Sequence, residues 1–114
     1  MTAQSVSLNR RLILEAPVQV ADGSGGFDEV WQALGTLWAE IRPRSGRVAT
    51  GEAGAVSVSG FRITVRAAPV GHSSRPVPSQ RFVLGARTFR IESVTEQEPR
   101  GLYLICEAEE ELAA

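Results

Sequence analysis

The chain has 114 residues, 43% apolar and 22% charged, with a formal net charge of −1 and a single cysteine. That composition supports a real core and excludes a disordered chain, an intrachain disulfide and a four-cysteine zinc site; the charge argues against a simple basic nucleic-acid module. No apolar run nears the roughly 20 residues of a membrane helix, and "MTAQSVSLNRR" lacks an apolar signal region, so one domain over residues 1–114, made and kept in a cytoplasm, is expected.

The first element, "RRLILEAPVQV", alternates Leu12, Leu14 and Ala16 on one side with Arg11, Ile13 and Glu15 on the other. Period two predicts a strand, and Pro17, which has no amide hydrogen, places that stretch at an edge or kink. "DGSGG", Asp22 to Gly26, reads as a tight turn. In "FDEVWQALGTLWAEIRP", Val30, Leu34 and Leu37 fit helical spacing, but Gly35 and the β-prone Trp31 and Trp38 oppose a helix. It is read as a strand interrupted near Gly35 and ending before Pro43.

Residues 43–60 follow as a long inter-strand loop with no aromatic residue, Leu or Ile. Loops beyond about 12–15 residues are uncommon in small domains and are usually either functional or disordered. "FRITVR" then alternates Phe61, Ile63 and Val65 inward with Arg62, Thr64 and Arg66 outward. Three prolines make Ala68 to Gln80 a loop. "RFVL-GA-RTFRIESV" reads as a hairpin about Gly85 and Ala86 with Phe89 and Ile91 inward, and Glu98 to Gly101 as a further turn. "LYLICE" closes the sheet with Leu102, Leu104 and Cys106 on the core side. The acidic tail, residues 108–114, is read as a frayed end or a short terminal helix. The fold class is all-β: a small antiparallel barrel or sandwich.

Charge is unevenly spread. From Arg42 to Arg90 there are nine arginines and one acid, Glu52, whereas Glu92 to Glu111 holds seven acids and one base, Arg100. Such polarity suits head-to-tail contact of identical subunits or a basic face toward an anion. The plainer alternative is that strands put charges outward in any case.

The chemistry expected of an enzyme is missing. His72 is the only histidine, too few for a zinc site, and its neighbours in "GHSSR" supply no third orienting group for a serine nucleophile. "GRVATGEA" has the spacing of a phosphate loop, but Glu52 and Ala53 stand where Lys and Ser or Thr are required. "DGSGGFDE" fails as a calcium loop, with Gly26 and Ala33 at ligand positions. Cys106, alternating with Leu102 and Leu104, is expected to be a buried small hydrophobe. No catalytic residue, cofactor or metal is expected. Trp38 and Tyr103 alternate onto outward faces, so they mark a subunit or partner interface, or Trp38 covers an open end of the barrel.

In sequence, "LNRRLILEAPV", "DGSGGFDEVW", "LWAEIRPRSGR", "FRITVR", "GARTFRIESV" and "LYLICE" resemble the head–tail joining proteins of long-tailed phages, the head-closure or stopper family, from Leu8 to Glu107. The Pro-rich "GHSSRPVPS" and the glycines of "TGEAG" depart from that pattern. The resemblance implies a virion protein of a phage, prophage or gene transfer particle, forming a ring below portal and adaptor proteins and above the tail. It also implies that the 43–60 loop points into the channel for packaged double-stranded DNA, with Arg42, Arg44 and Arg47 meeting phosphate non-specifically. The rival reading is a monomeric OB- or SH3-like module for nucleic acid or peptide, for which the chain is short of exposed aromatics.

Overall fold

The first strand, β1 (Arg10–Ala21), turns through Asp22–Gly26 into β2 (Phe27–Pro43) in the computed structural model, which describes residues 5–44, 47–51, 54–58 and 60–111. The turn forms because Gly23 and Gly25 take positive φ, 83° and 86°, and the Asp22 carboxylate accepts from the amides of Ser24 and Gly26 at 2.8 and 3.1 Å. β3 (Arg47–Gly51), β4 (Gly54–Val58), β5 (Gly60–Arg66), β6 (Arg81–Leu84), β7 (Arg87–Glu96) and β8 (Tyr103–Glu111) follow. Six of them close an antiparallel barrel in the order β1-β2-β5-β8-β7-β6, and β3 and β4 form a separate two-stranded sheet.

Alternation places the core as expected on β1, β5, β7 and β8. Leu12, Leu14, Ile63, Val65, Phe89, Ile91, Leu104 and Cys106 are all buried. Phe82 from β6 joins them, and Phe61 at the barrel end is half-buried, its ring edge-on to Phe89 at 5.2 Å. Gly85 takes φ +59° in the two-residue turn between β6 and β7, as its position in the sequence implies.

Gly35 marks a bulge. Leu14 pairs with Gly35 and Glu15 with Ala33, so Leu34 is the extra residue. Gly35 holds φ +154°, a conformation that L side chains rarely adopt. A bulge bends and twists its strand. Beyond it, residues 16–21 and 27–33 run on as a two-stranded arm, since β6 pairs with β1 only at Ile13–Glu15 and β5 with β2 only at Ala39–Pro43. Pro17 lies in this arm, facing no third strand on the β6 side, which is the edge position its missing amide requires.

Five expectations are corrected. β2 runs through Pro43 instead of ending before it. Residues 43–60 are not a structureless loop, because β3 and β4 pair from Arg47↔Val58 to Gly51↔Gly54. Their pairing rests on local backbone hydrogen bonds, which need no large apolar side chains. The acidic tail does not fray or turn helical as far as Glu111: β8 sits between β5 and β7 and pairs with both; residues 112–114 lie outside the described residues. Leu102 is 50% exposed: β8 begins one residue later, and the Leu102 carbonyl accepts from the amide of Ala67, just past the end of β5. Thr64 points outward by alternation yet is only 6% exposed. The N-terminal segment covers that wall: Ser5 and Val6 line a recess with Thr64, and the Ser7 amide donates to Glu40 at 2.9 Å.

Truncating Phe89 to Ala removes a fully buried ring from the barrel centre and is expected to cost about 3–5 kcal/mol. Urea or thermal unfolding measures this, and an unchanged midpoint would refute the assigned interior face.

Candidate functional site

Beyond the last β2–β5 pair, Pro43↔Phe61, the two strands lead straight into the β3–β4 hairpin. The Arg44 amide donates to the Gly60 carbonyl at 2.9 Å and closes the root. The Arg44 guanidinium lies across Gly60 so closely that a Cβ there would fall 2.5 Å from a guanidinium nitrogen. A side chain there would displace the guanidinium from this position. The same guanidinium donates to the Ala108 carbonyl at 3.3 Å and lies 3.4 Å from Glu107 and 3.8 Å from Glu92. Glu92 reaches it because β7 carries its own bulge: Ile91 pairs with Ala108 and Ser93 with Glu107, leaving Glu92 as the extra residue.

Arg62 also donates to Glu107, at 3.2 Å, so one carboxylate on β8 serves two arginines. Arg44 Nε and Glu107 Oε2 are buried in an ion pair whose geometry provides neither with a hydrogen bond. Arg42 donates to Glu40 at 2.9 and 3.3 Å. Burial opposes charge on Glu40, but the Arg42 hydrogen bond, the Ser7 amide and the Arg42 charge outweigh it and hold the carboxyl below its ordinary value. Of the three arginines singled out in the sequence, Arg42 and Arg44 thus stand at the hairpin root against acids of the barrel. Arg47 opens β3, and its side chain lies outside the described structure.

The basic middle and acidic end of the chain do not form opposite poles. β8 is inserted between β5 and β7, so Arg44 and Arg62 meet Glu107, and Arg87 meets Glu110 at 2.8 and 3.0 Å. The Arg87 hydrogen bonds, against the opposing effect of burial, lower the Glu110 carboxyl, and Arg87 itself is raised. Arg87 also covers the Phe61 and Phe89 rings at 5.5 and 4.9 Å.

Trp38 is 53% exposed on the outer wall and does not cap the barrel; Tyr103 is half-buried. Each carries an arginine over its ring at 5.8 Å, Arg11 on Trp38 and Arg66 on Tyr103. The alternation in the sequence foretold these positions.

His72 accepts at Nδ1 from the Ser74 amide at 3.1 Å and lies 2.7 Å from Ser74 Oγ. No carboxylate orients the ring among the described residues, so this is a local turn contact, not a nucleophile with its base. Burial, followed by the Glu107 charge and against Arg75, pushes the Cys106 thiol up to about 12, which leaves it protonated and unreactive. An open cleft of about 640 Å³ lies beside the arm, where Arg81 stacks over Trp31 at 4.0 Å and pairs with Glu15 at 2.7 Å. Among the described residues no group of three or more His, Cys, Asp or Glu is placed to hold a metal.

The family model described as phage head completion protein matches residues 4–111. A chain in the solved virion of a native gene transfer agent (GTA) particle is 51% identical, with a TM-score of 0.78, covering 93% of this chain and 96% of that one. No curated protein matches.

The lowered carboxyls set an acid limit on stability. Glu40 and Glu110 have folded-state values below the ordinary 4.5, so between the folded and unfolded values the folded chain binds fewer protons. Their contribution is full above about pH 4.5 and is lost as pH falls through the folded values. The melting temperature should therefore fall on acidification below that point, and Arg87→Met should flatten the fall. An equal slope in both proteins would contradict the role given to the Arg87–Glu110 pair.

Proposed function

The chain belongs to the phage head completion protein family and is a virion protein, and from that premise we propose that it forms a ring in the head–tail connector that closes the DNA exit channel and presents a docking surface for the tail. One observation carries this reading: a closed barrel, self-sufficient in its core, from which the β3–β4 hairpin extends on a root where Arg44 meets Gly60. A hairpin that the barrel core does not need is free to meet something outside the subunit. In a ring, hairpins from successive copies converge on the channel, and their closure holds the genome.

The neighbours in this reading are portal or adaptor proteins on the head side, tail proteins below, and packaged double-stranded DNA, contacted without regard to sequence. Arg42 and Arg44 stand at the hairpin root and Arg47 opens β3, and in this reading the positive charge of the three favours the phosphate backbone. Glu40, Glu107 and Glu92 moderate the charge of the first two, so in this reading Arg44 is chiefly the anchor of the hairpin.

Trimming the hairpin tests the reading. Residues 49–56 are replaced by Asn-Gly, joining Val48 to Ser57, a pair already in register. Shortening a surface connection changes stability by well under about 1 kcal/mol, so the barrel should melt as before. Particles carrying the trimmed chain should package DNA but leak it or fail to join tails. Full genome retention with normal tail joining would overturn the gating role.

A further inference from the structure

Two surfaces at different places on the molecule carry charge outside the ion pairs of the barrel. The arm carries Asp28 and Glu29, neither in an ion pair among the described residues, and no base lies between Arg11 and Arg42. Beside these acids the arm exposes Phe27, at 67%, together with Val20 and Val30. Val18 pairs with Val30 and Val20 with Asp28, so the valines and one acid share a face. That face continues the inward row of Leu12, Leu14 and Ala16 on β1 past the end of the barrel, where no third strand pairs with it among the described residues.

The second surface crosses the outer wall of four strands. Arg11 pairs with Trp38, and Arg66 with Tyr103. One rung beyond Ala39↔Val65, the register brings Trp38 level with Arg66. The result is a row of Arg11, Trp38, Arg66 and Tyr103, in which cations and aromatics alternate. Neither arginine has an ion pair among the described residues; each has only the ring beside it. Along β2 the arm tip at Phe27 and the row at Trp38 lie roughly 35 Å apart at about 3.3 Å per residue, too far for one copy to join its own two patches.

Deepening the ring reading and resting on it, we infer that the acidic, apolar arm of one copy docks on the Arg–aromatic row of the next. Opposite uncompensated charges and exposed apolar groups on two different patches make a heterologous, head-to-tail contact, the kind that closes into a ring. Glu29 meets Arg11 and Arg66 while Phe27, on the same face of β2, packs on Trp38, and Asp28 on the opposite face adds negative charge at the arm tip. The occupant of each patch is a second copy of this chain.

The test places Phe27→Cys and Trp38→Cys in the full-length chain and oxidises assembled particles. Both positions are exposed, and native Cys106 is buried. The double variant should give a ladder of covalent multimers, and a mixture of the two single variants should stop at dimers. In parallel, reversing Asp28 and Glu29 to Arg, or Arg11 and Arg66 to Glu, should each lower incorporation into particles by roughly tenfold or more, with the combined reversal restoring it. Multiple copies per particle with no 27–38 link and no charge rescue would overturn this contact while leaving the ring standing. One copy per particle would overturn both. Linkage of the Trp38→Cys variant to a different particle protein alone would assign the row to that partner and overturn the contact.

Discussion

The barrel is sealed where β1 meets β6 over only three pairs, Ile13↔Val83, Leu14↔Phe82 and Glu15↔Arg81. Leu14 and Phe82 meet inside this seam, and on its outer side Arg81 pairs with Glu15 while stacking on Trp31. A longer seam would draw all of β1 into the barrel. A shorter one would leave six strands as an open sheet with two edges to manage. At three pairs the core is enclosed, and the rest of the β1–β2 ribbon, bent by the bulge at Leu34, is released as an arm. Closure and projection are consequences of one constraint.

The hairpin at the other end of β2 depends on a different balance. Arg44 is held by the Ala108 carbonyl and by Glu107 and Glu92, and its plane occupies the space a side chain at Gly60 would need. Its attachment is electrostatic and partly buried, with two polar atoms paired only as ions. Removing Arg44 leaves Glu107 with Arg62 alone, and removing Glu107 leaves Arg44 with Glu92 and the Ala108 carbonyl, so the root is a shared network and not one isolated pair. The β7 bulge that presents Glu92 also returns Val94 to the core side, so one irregularity serves both core and root. A hairpin held in this way, outside the core, can respond to what it touches without unsealing the barrel.

The barrel was largely legible in the sequence because period-two alternation states which side chains face inward. Leu12, Leu14, Ile63, Val65, Phe89, Ile91 and Leu104 are buried where alternation puts them. Gly35 and Gly85 announced a bulge and a turn, since each needs a conformation that side chains avoid. What composition could not announce was the β3–β4 hairpin, because local strand pairing leaves no apolar signature. Thr64 looked solvent-facing because nothing in "FRITVR" tells that Ser5 and Val6 lie over it. The arginine–carboxylate pairs escaped for a similar reason. Those of Arg44, Arg62 and Arg87 join residues as distant as Arg44 and Glu107 and exist only once β8 slots between β5 and β7. Trp38 was legible as outward, but its alignment with Arg66 needed the register of three strands.

In the proposed function this barrel is one subunit of a closed ring, and its hairpin is the part that meets the genome. Reconstructing the neck of the DNA-filled particle by cryo-electron microscopy, with the described barrel fitted as a rigid body, tests this most directly. Copies arranged in a closed ring about the DNA axis, each with its β3–β4 hairpin facing that axis, are what the account predicts. A chain whose hairpins face away from the DNA, or one placed outside any ring, would contradict it.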